Sequence, residues 1–274
     1  MKALVCEGGG FKTAFTTGVL DAWIASDYFP FDIFIGVSGG AVVMSSYISR
    51  QYKRGWELME ELLADRDLTS VSRFVKGGYY LELDLIEHVW DKITPFDNNI
   101  AASITKDKIV KFVCTHARTG NAIYISPDIK QWKYYLRASS ALPFVSKCPV
   151  IIDKQELVDG FFVDPLPVKH AIDIGATEIT VIRTNRNEDI GSRFNQLLSG
   201  YLLKSDFPVL DKLMKKEKEI YTKVVSLLKN PPKGVAVNTI LPDEILSGRL
   251  TSKPKALKQD YLQGLEKGLD YLKL

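Results

Sequence analysis

Two patterns of apolar residues alternate along the chain. Short apolar runs are typical of strands buried on both faces, and longer segments with apolar residues three or four positions apart are typical of helices. Strands are predicted at 2–6, 32–36, 109–115, 121–126, 148–152, 156–159, 178–184 and 235–240. Helices are predicted at 13–26, 39–52, 55–65, 81–91, 166–174, 191–204 and 254–272. The alternation predicts an α/β fold in which a mainly parallel central sheet is sandwiched by helices, giving three layers.

The character of the chain changes after Phe207. A lysine-rich helical segment is followed by Pro231 and Pro232, which interrupt a helix, and then by one apolar strand and a final helix. We therefore expect a main domain over residues 1–205. Residues 206–274 are expected to form a small, mainly helical extension packed on the same core.

Composition indicates an ordinary globular protein. The chain has 274 residues, of which 46% are hydrophobic and 25% charged, with a net charge of +3. The first apolar run is interrupted at Glu7, too early for a signal peptide, and no window approaches the roughly 18 apolar residues of a membrane span. We expect a cytoplasmic protein, with a peripheral position at a membrane surface as the alternative. Oligomeric state is left open.

Lysines crowd one segment of the extension. They are Lys212, Lys215, Lys216, Lys218 and Lys223. The plain interpretation is the solvated face of an amphipathic helix. The alternative is a surface that attracts anionic phospholipid and makes transient contact with a membrane. Nucleic-acid binding is not expected, because no aromatic platform or known motif accompanies these lysines.

Ser38 stands in the sequence Gly36-Val37-Ser38-Gly39-Gly40, directly after an apolar run. A strand that ends at Gly-x-Ser-x-Gly and continues into a helix predicts a strand–turn–helix elbow. The glycines keep so tight a turn free of collisions, and the Gly39 amide lies beside the hydroxyl. Ser38 is therefore a candidate nucleophile at a helix N-terminus, where backbone donors can stabilise an oxyanion.

A second glycine-rich turn joins the first predicted strand to the first predicted helix. Gly8, Gly9 and Gly10 expose several backbone N–H groups to one point and let a substrate approach closely. A dinucleotide fingerprint would need glycine where Thr13 stands, and a P-loop would need glycine where Phe11 stands. A tight turn without chemistry is the remaining alternative.

Lys12 follows this turn in the first turn of the predicted helix. A cation is unfavourable there, because the helix dipole already makes that end positive. The position therefore predicts an anion that binds near Lys12.

Because both glycine-rich turns follow strands, we expect them to meet at the carboxyl edge of the sheet.

Asp159 and Gly160 end a predicted hairpin strand. An Asp-Gly pair is most often a plain turn. Here the apolar neighbours Val158, Phe161 and Phe162 would desolvate the carboxylate and raise its affinity for a proton, as a general base requires.

These three segments, in this order, resemble the patatin-like phospholipases, which include the cytosolic phospholipase catalytic domain. That family shows Gly-Gly-Gly-x-Arg/Lys, Gly-x-Ser-x-Gly and Asp-Gly-Gly/Ala. The segment from Arg137 to Pro143 is also similar to the family's Ala-Ser-x-Ala-x-Pro sequence. The resemblance covers roughly residues 1–185.

The resemblance implies a serine lipid acyl hydrolase, a phospholipase A or esterase, that needs no cofactor or metal. Ser38 would be the nucleophile and Asp159 the general base of a dyad that forms an acyl-enzyme. Gly8, Gly9, Gly10, Phe11 and Gly39 would form the oxyanion hole, with Lys12, Gly36, Gly40 and Gly160 in support. The chain departs from the family at Phe161, where glycine or alanine is usual, and this side chain could narrow the acyl channel.

Two alternatives remain open. A Ser-His-Asp esterase would use His170. The sequence around His170 instead predicts a short helix, with His170 at its surface or edge. A non-catalytic lipid-binding or regulatory protein could have kept the pocket. The retention of Ser38, Asp159, the glycines and Lys12 together favours the enzyme.

Overall fold

A computed structural model describes residues 1–65, 68, 70–76, 78–143, 145–185 and 206–273. Its strands are β1 (Lys2–Cys6), β2 (Ile33–Val37), β3 (Ile109–His116), β4 (Ala122–Ile125), β5 (Val150–Ile152), β6 (Gln155–Asp159), β7 (Glu178–Ile182) and β8 (Ala236–Ile240). They form one eight-stranded sheet in the order β5-β6-β3-β2-β1-β7-β8, with β4 also paired to β3. Strands β3, β2, β1, β7 and β8 are parallel to one another, and β4, β5 and β6 join by antiparallel pairing.

The helices are α1 (Ala14–Ala25), α2 (Gly39–Ile48), α3 (Arg54–Ala64), α4 (Val71–Val75), α5 (Leu83–Lys92), α6 (Asn98–Thr105), α7 (Trp132–Ser140), α8 (Val168–Asp173), α9 (Pro208–Lys215), α10 (Glu217–Lys229) and α11 (Pro254–Tyr271). Helices α4, α6 and α7 were not expected. Helix α6 begins at the side-chain cap of Asp97, which accepts a hydrogen bond from the Ile100 amide at 2.9 Å. Helix α7 is rich in aromatic residues that favour strands, and Trp132 Nε1 anchors it by donating to Ser45 Oγ at 2.8 Å. The helix predicted at 191–204 lies outside the described residues.

Side chains of the central strands alternate between two cores. In β1, Leu4 and Cys6 join a cluster with α1, α2, α3 and α11, while Ala3 and Val5 join one that includes α8 and apolar side chains of α10. Because successive strand residues point to opposite faces, this alternation requires helices on both sides of the sheet. The fold class is therefore confirmed as a mixed α/β fold with an eight-stranded sheet flanked by helices.

The extension shares the core of the main domain. Strand β8 pairs in parallel with β7, and α11 packs on α1. Trp23 Nε1 donates to the Gly268 carbonyl at 3.1 Å, and the Tyr261 hydroxyl donates to Asp21 Oδ2 at 2.9 Å. The division between residues 205 and 206 stays a prediction, since residues 186–205 are not described.

The sheet brings the predicted motifs to one edge. Cys6 at the end of β1 pairs in register with Gly36 in β2, so the two glycine-rich turns leave adjacent parallel strands side by side. Strand β6 runs the opposite way and places Asp159 next to Cys114, near the end of β3. Of the helices within the described ranges, none combines the length and hydropathy needed to cross a bilayer.

Candidate active site

Ser38 lies between the end of β2 and the start of α2. Its φ of 53° and ψ of −130° hold a non-glycine residue in an unfavourable backbone conformation. Its amide donates to Ser139 Oγ at 3.0 Å, and that hydroxyl donates in turn to the Val113 carbonyl at 2.7 Å. These bonds tie the sharp elbow to β3 and α7.

Asp159 is 1% exposed at the end of β6. Burial raises the pKa of its carboxyl group to about 6. Three groups act in the opposite direction on this pKa: the Phe161 amide, which donates to Oδ1 at 2.9 Å, the hydrogen-bonding side chain of Ser38, and the positive charge of Arg249. The carboxylate is thus a stronger base than an aspartate in water.

Ser38 and Asp159 line the same cavity, whose empty volume is about 1240 Å³ with its open mouth included. Gly8, Gly9, Gly10, Phe11 and Gly39 line it too. Apolar side chains of α3 and α5 form one side, among them Leu58, Met59, Leu62 and Ile86. A large apolar pocket with a few convergent polar groups is typical of a site for a small, mostly apolar ligand.

The glycine loop runs beside the elbow. A Cβ atom on Gly39 would lie 3.1 Å from the Gly10 nitrogen, so these two backbone segments are in contact next to Ser38. The Gly8 carbonyl accepts a hydrogen bond from Thr184 Oγ1 at 2.6 Å, which fastens the loop to the end of β7. The glycine loop therefore packs against the elbow that carries Ser38.

The Phe11 amide differs from what the motif predicts for an oxyanion donor. It donates to the Arg249 carbonyl at 3.1 Å and is therefore engaged in this structure. Its side chain still lines the cavity. Gly8, Gly9, Gly10 and Gly39 line the same cavity, and their role as oxyanion donors stays a prediction.

Gly10 is held in the left-handed region with a φ of 57°, and a Cβ atom there would lie 1.8 Å from the Arg249 carbonyl oxygen. We expect Gly10→Ala to push the glycine loop or the 246–250 segment out of place. The ester hydrolysis that the sequence motifs predict should then fall about 10²- to 10³-fold, the usual effect of losing one oxyanion donor. An ester-hydrolysis assay of the folded variant checks this prediction. Gly234→Ala is the control, because Gly234 also has a positive φ, 85°, but an added Cβ atom there would meet no neighbouring atom. Equal losses of activity in the two variants would contradict the prediction.

The supporting glycines lie behind the cavity wall. A Cβ atom on Gly36 would lie 2.5 Å from the Ala41 Cα, on Gly40 2.5 Å from the Cys6 carbonyl oxygen, and on Gly160 2.4 Å from the Val113 carbonyl oxygen. These close approaches allow β1, β2, β3 and the two turns to pack together.

Lys12 forms a hydrogen bond to a residue far along the chain, and the anion expected near it stays a prediction. Its ammonium group donates to Asn185 Oδ1 at 2.7 Å, and Lys12 is not among the residues that line the cavity. This hydrogen bond connects the end of the glycine loop to the segment after β7.

Glu7 is a buried carboxylate that sequence reasoning did not assign to the site. Its oxygens accept hydrogen bonds from the amides of Thr184 at 2.6 Å and Asn185 at 3.2 Å, and from the Tyr221 hydroxyl at 2.7 Å. Tyr221 belongs to α10, so this carboxylate joins the start of the glycine loop to the extension.

Arg249 is the main functional residue that sequence reasoning missed. Its guanidinium lies over the Phe161 ring, 4.4 Å from the centroid, and both side chains line the cavity. Burial lowers the pKa of Arg249, while the charge of Asp159 acts in the opposite direction. No local motif surrounds Arg249 in the sequence, because its role depends on a contact between distant parts of the chain.

His170 lies away from the cavity. Its ring stacks on Tyr124, with centroids 3.5 Å apart, and it belongs to the short helix α8. It is not among the residues that line the cavity with Ser38. The arrangement offers no histidine partner for the Ser38–Asp159 pair within the described part of the chain.

Comparison with known proteins identifies the family. The family model for patatin-like phospholipases matches residues 4–172, which is more than half of the chain. The chain belongs to the patatin-like phospholipase family. Membership supports a lipid hydrolase at the family level. A second family model, a domain of unknown function, matches residues 207–273, which include α10, Arg249 and α11.

Curated relatives include an uncharacterized protein, YjjU, from Escherichia coli (strain K12). It is 29% identical over 265 residues, covering 96% of this chain and 74% of that protein. Patatin-like phospholipase domain-containing protein 7 from Rattus norvegicus is 28% identical over 210 residues, covering 73% of this chain. The matched region is only 14% of that mammalian protein.

Solved structures similar to this chain include VipD from Legionella pneumophila and the type III effector protein ExoU. VipD has a TM-score of 0.44 at 12% identity, covering 99% of this chain and 66% of that one. ExoU has a TM-score of 0.40 at 11% identity, covering 99% of this chain and 52% of that one.

Proposed function

We propose that the protein is a serine lipid acyl hydrolase that cleaves carboxylic esters through a Ser38–Asp159 dyad. The observation that carries this proposal is the placement of a strained serine elbow, a buried aspartate and a glycine loop around one largely apolar cavity. An acyl chain suits the apolar wall, and its ester carbonyl suits the polar end of the cavity.

In the proposed reaction, Asp159 accepts the Ser38 proton while the hydroxyl oxygen attacks the ester carbonyl. N–H groups of the glycine loop and Gly39 stabilise the oxyanion that develops on the carbonyl oxygen. Collapse of the tetrahedral intermediate breaks the ester bond, and the leaving alcohol takes the proton from Asp159. Water then attacks the acyl-Ser38 ester, giving its proton to Asp159, and the fatty acid leaves as Ser38 is restored.

Burial makes a carboxylate suitable for this role. With a pKa of about 6, Asp159 is mostly ionised at neutral pH and still has a useful affinity for the serine proton. The neighbouring Cys114 thiol has its pKa raised by burial and by the Asp159 charge, so it stays protonated beside the base.

We expect kcat/KM to fall as the pH decreases below about 6, because protonated Asp159 cannot accept the serine proton. Arg249→Gln removes a positive charge that stabilises the carboxylate, so it should raise the pKa of Asp159. The fall in kcat/KM at acidic pH should therefore begin at a higher pH. A pH–rate profile with a short neutral ester checks the shift. The matched control is Arg50→Gln, which removes a surface arginine that pairs with Asp27 at 3.4 Å. If Arg249→Gln did not shift the acidic part of the pH–rate profile, the assignment of Asp159 as the base would be contradicted.

A fluorophosphonate probe tests the proposed function directly. The probe should form a covalent adduct on Ser38, located by peptide mass spectrometry, and the purified protein should release fatty acid from a panel of acyl lipids. A non-catalytic lipid-binding protein would bind the lipids without adduct or release, and that result would end the proposal.

The Ser-His-Asp alternative makes a separate prediction. His170 stacks on Tyr124 outside the cavity lining, so His170→Ala should leave esterase kcat within about threefold of the unmodified protein. Turnover of a chromogenic ester checks this. A loss as large as that caused by removing the Ser38 hydroxyl would instead require a histidine in the mechanism.

We also propose that the enzyme works in the cytoplasm and meets its lipid at a membrane surface. Lys212, Lys216 and Lys218 are exposed on the extension, while Lys215 and Lys223 pair with Asp211 and Glu219 at 2.6 Å each. Sedimentation with vesicles that contain anionic phospholipid, compared with neutral vesicles, tests this attraction.

A further inference from the structure

Glu7 is the residue directly before the glycines of the loop, residues 8–10. One oxygen of its buried carboxylate accepts hydrogen bonds from the backbone amides of Thr184 and Asn185. The other accepts them from the Asn185 side-chain amide at 3.0 Å and from the Tyr221 hydroxyl at 2.7 Å. Because glycines have no side chains that could fix their own conformation, the position of the loop depends on the residues at its ends. The contacts of Glu7 therefore determine where the loop begins.

Tyr221, in α10 of the extension, lies between a buried anion and a buried cation and is itself 4% exposed. Its hydroxyl donates to Glu7 Oε1 and accepts a hydrogen bond from Arg183 Nη2 at 2.9 Å. Burial and the Glu7 charge raise the pKa of Tyr221, so the hydroxyl keeps the proton that it donates. In a buried environment such a chain of hydrogen bonds is stronger than in water, and removal of the hydroxyl costs each neighbouring charge one hydrogen bond.

We propose that Tyr221 is a positioning residue of the active site: through Glu7 it holds the glycine loop where the loop can stabilise the oxyanion formed at Ser38. This inference rests on the proposed function and goes beyond it, because it makes the extension a part of the catalytic machinery. Tyr221 makes no contact with the reacting atoms and acts only through Glu7.

The extension also holds the other end of the loop. The Phe11 amide donates to the Arg249 carbonyl at 3.1 Å, so contacts with the extension flank the glycines on both sides. A small shift of the extension is thereby transmitted to the loop. A misplacement of about 1 Å in a catalytic group can lower a rate about 10²-fold, even when the altered residue lies away from the chemistry.

Tyr221→Phe tests the proposal, because phenylalanine keeps the ring and removes both hydrogen bonds of the hydroxyl. We expect kcat for a short neutral ester to fall about 10- to 100-fold while KM stays within about threefold, since the interaction that is lost acts in the transition state. Glu7→Gln keeps the shape of the side chain, removes its charge and should lower kcat similarly. The double variant should lie within about threefold of the weaker single variant, because both changes remove the same contact.

Tyr261→Phe is the matched control. Tyr261 is also a buried tyrosine of the extension, 6% exposed, and its hydroxyl donates to the buried carboxylate of Asp21 in the main domain at 2.9 Å. Neither Tyr261 nor Asp21 is among the residues that line the Ser38 cavity. Tyr261→Phe should lower the thermal unfolding midpoint as Tyr221→Phe does, yet leave kcat within about twofold.

Hydrogen exchange measured by mass spectrometry provides a readout that does not depend on turnover. We expect the amides of residues 8–11 to exchange about tenfold faster in Tyr221→Phe and at an unchanged rate in Tyr261→Phe. If Tyr221→Phe does not fold, the same two measurements on Glu7→Gln decide the matter.

Three results would overturn the positioning role: an unchanged kcat in Tyr221→Phe, unchanged exchange in the glycine loop, or effects of Tyr221→Phe and Glu7→Gln that multiply in the double variant. A rise in KM without a loss in kcat would also overturn it, because Tyr221 would then contact the substrate directly. In each case the fluorophosphonate adduct on Ser38 of the unmodified protein would show that the hydrolase proposal still stands. Failure of the hydrolase proposal would instead appear in the unmodified protein, as the absence of that adduct.

Discussion

Ser38→Ala is expected to abolish ester hydrolysis, lowering kcat by at least about 10⁴-fold. The variant lacks the oxygen that attacks the carbonyl, and no other hydroxyl occupies the elbow. Its fold should be retained, because alanine keeps the Cβ atom and the amide that donates to Ser139. Fatty-acid release from lipid micelles, measured together with the thermal unfolding midpoint, checks both statements.

The fluorophosphonate adduct supplies the control for Ser38→Ala. Labelling should disappear with the hydroxyl and should persist in Ser140→Ala, whose side chain lines the same cavity. Turnover by Ser38→Ala above one-hundredth of the original rate would mean that another group is the nucleophile.

Asp159→Asn is expected to have the second largest effect, a loss of about 10³- to 10⁴-fold in kcat. The amide cannot accept the serine proton, but its oxygen can still accept the hydrogen bond that the Phe161 amide gives to Asp159 at 2.9 Å. Because a buried carboxylate with a raised pKa is desolvated at a cost, the neutral variant should unfold at a temperature no lower than the original protein. Esterase assays and thermal unfolding measure the two effects.

Asp164→Asn is the matched control for this variant. Burial also raises the pKa of Asp164 to about 6, and its carboxylate accepts a hydrogen bond from the Tyr124 hydroxyl at 2.7 Å. It is not among the residues that line the Ser38 cavity, so its substitution should leave kcat nearly unchanged. Similar losses in both aspartate variants would indicate a general effect of buried carboxylates and count against Asp159 as the base.

Local sequence was informative wherever one segment determines its own conformation. The Gly36–Gly40 elbow follows a fully buried strand, and the apolar runs at β1, β2 and β3 lie within one residue of their predicted bounds. Helix α7 was missed because its aromatic residues favour strands when considered alone, whereas Trp132 is held by a hydrogen bond to Ser45 in a distant helix.

Charges were harder to interpret from the sequence. Lys12 is unfavourably placed next to a helix start, which the sequence does reveal, but the sequence does not reveal its hydrogen bond to the side-chain amide of Asn185, 173 residues further along the chain. Phe11 stands at a motif position for an oxyanion donor, yet its amide is bound by the carbonyl of Arg249. Both partners are determined by which segments pack beside the glycine loop.

The amino-acid sequence by itself determined the family, the layered α/β fold and the identities of the candidate nucleophile and base, because these depend on short motifs and on periodic burial. Only the tertiary structure decided that residues beyond 206 contribute Tyr221, Arg249 and Leu250 to the cavity, and that a second, smaller cavity shares Ser140 with it. The physical reason is that local motifs encode turns and periodicity, whereas desolvation, charge proximity and cavity shape arise when distant segments pack together.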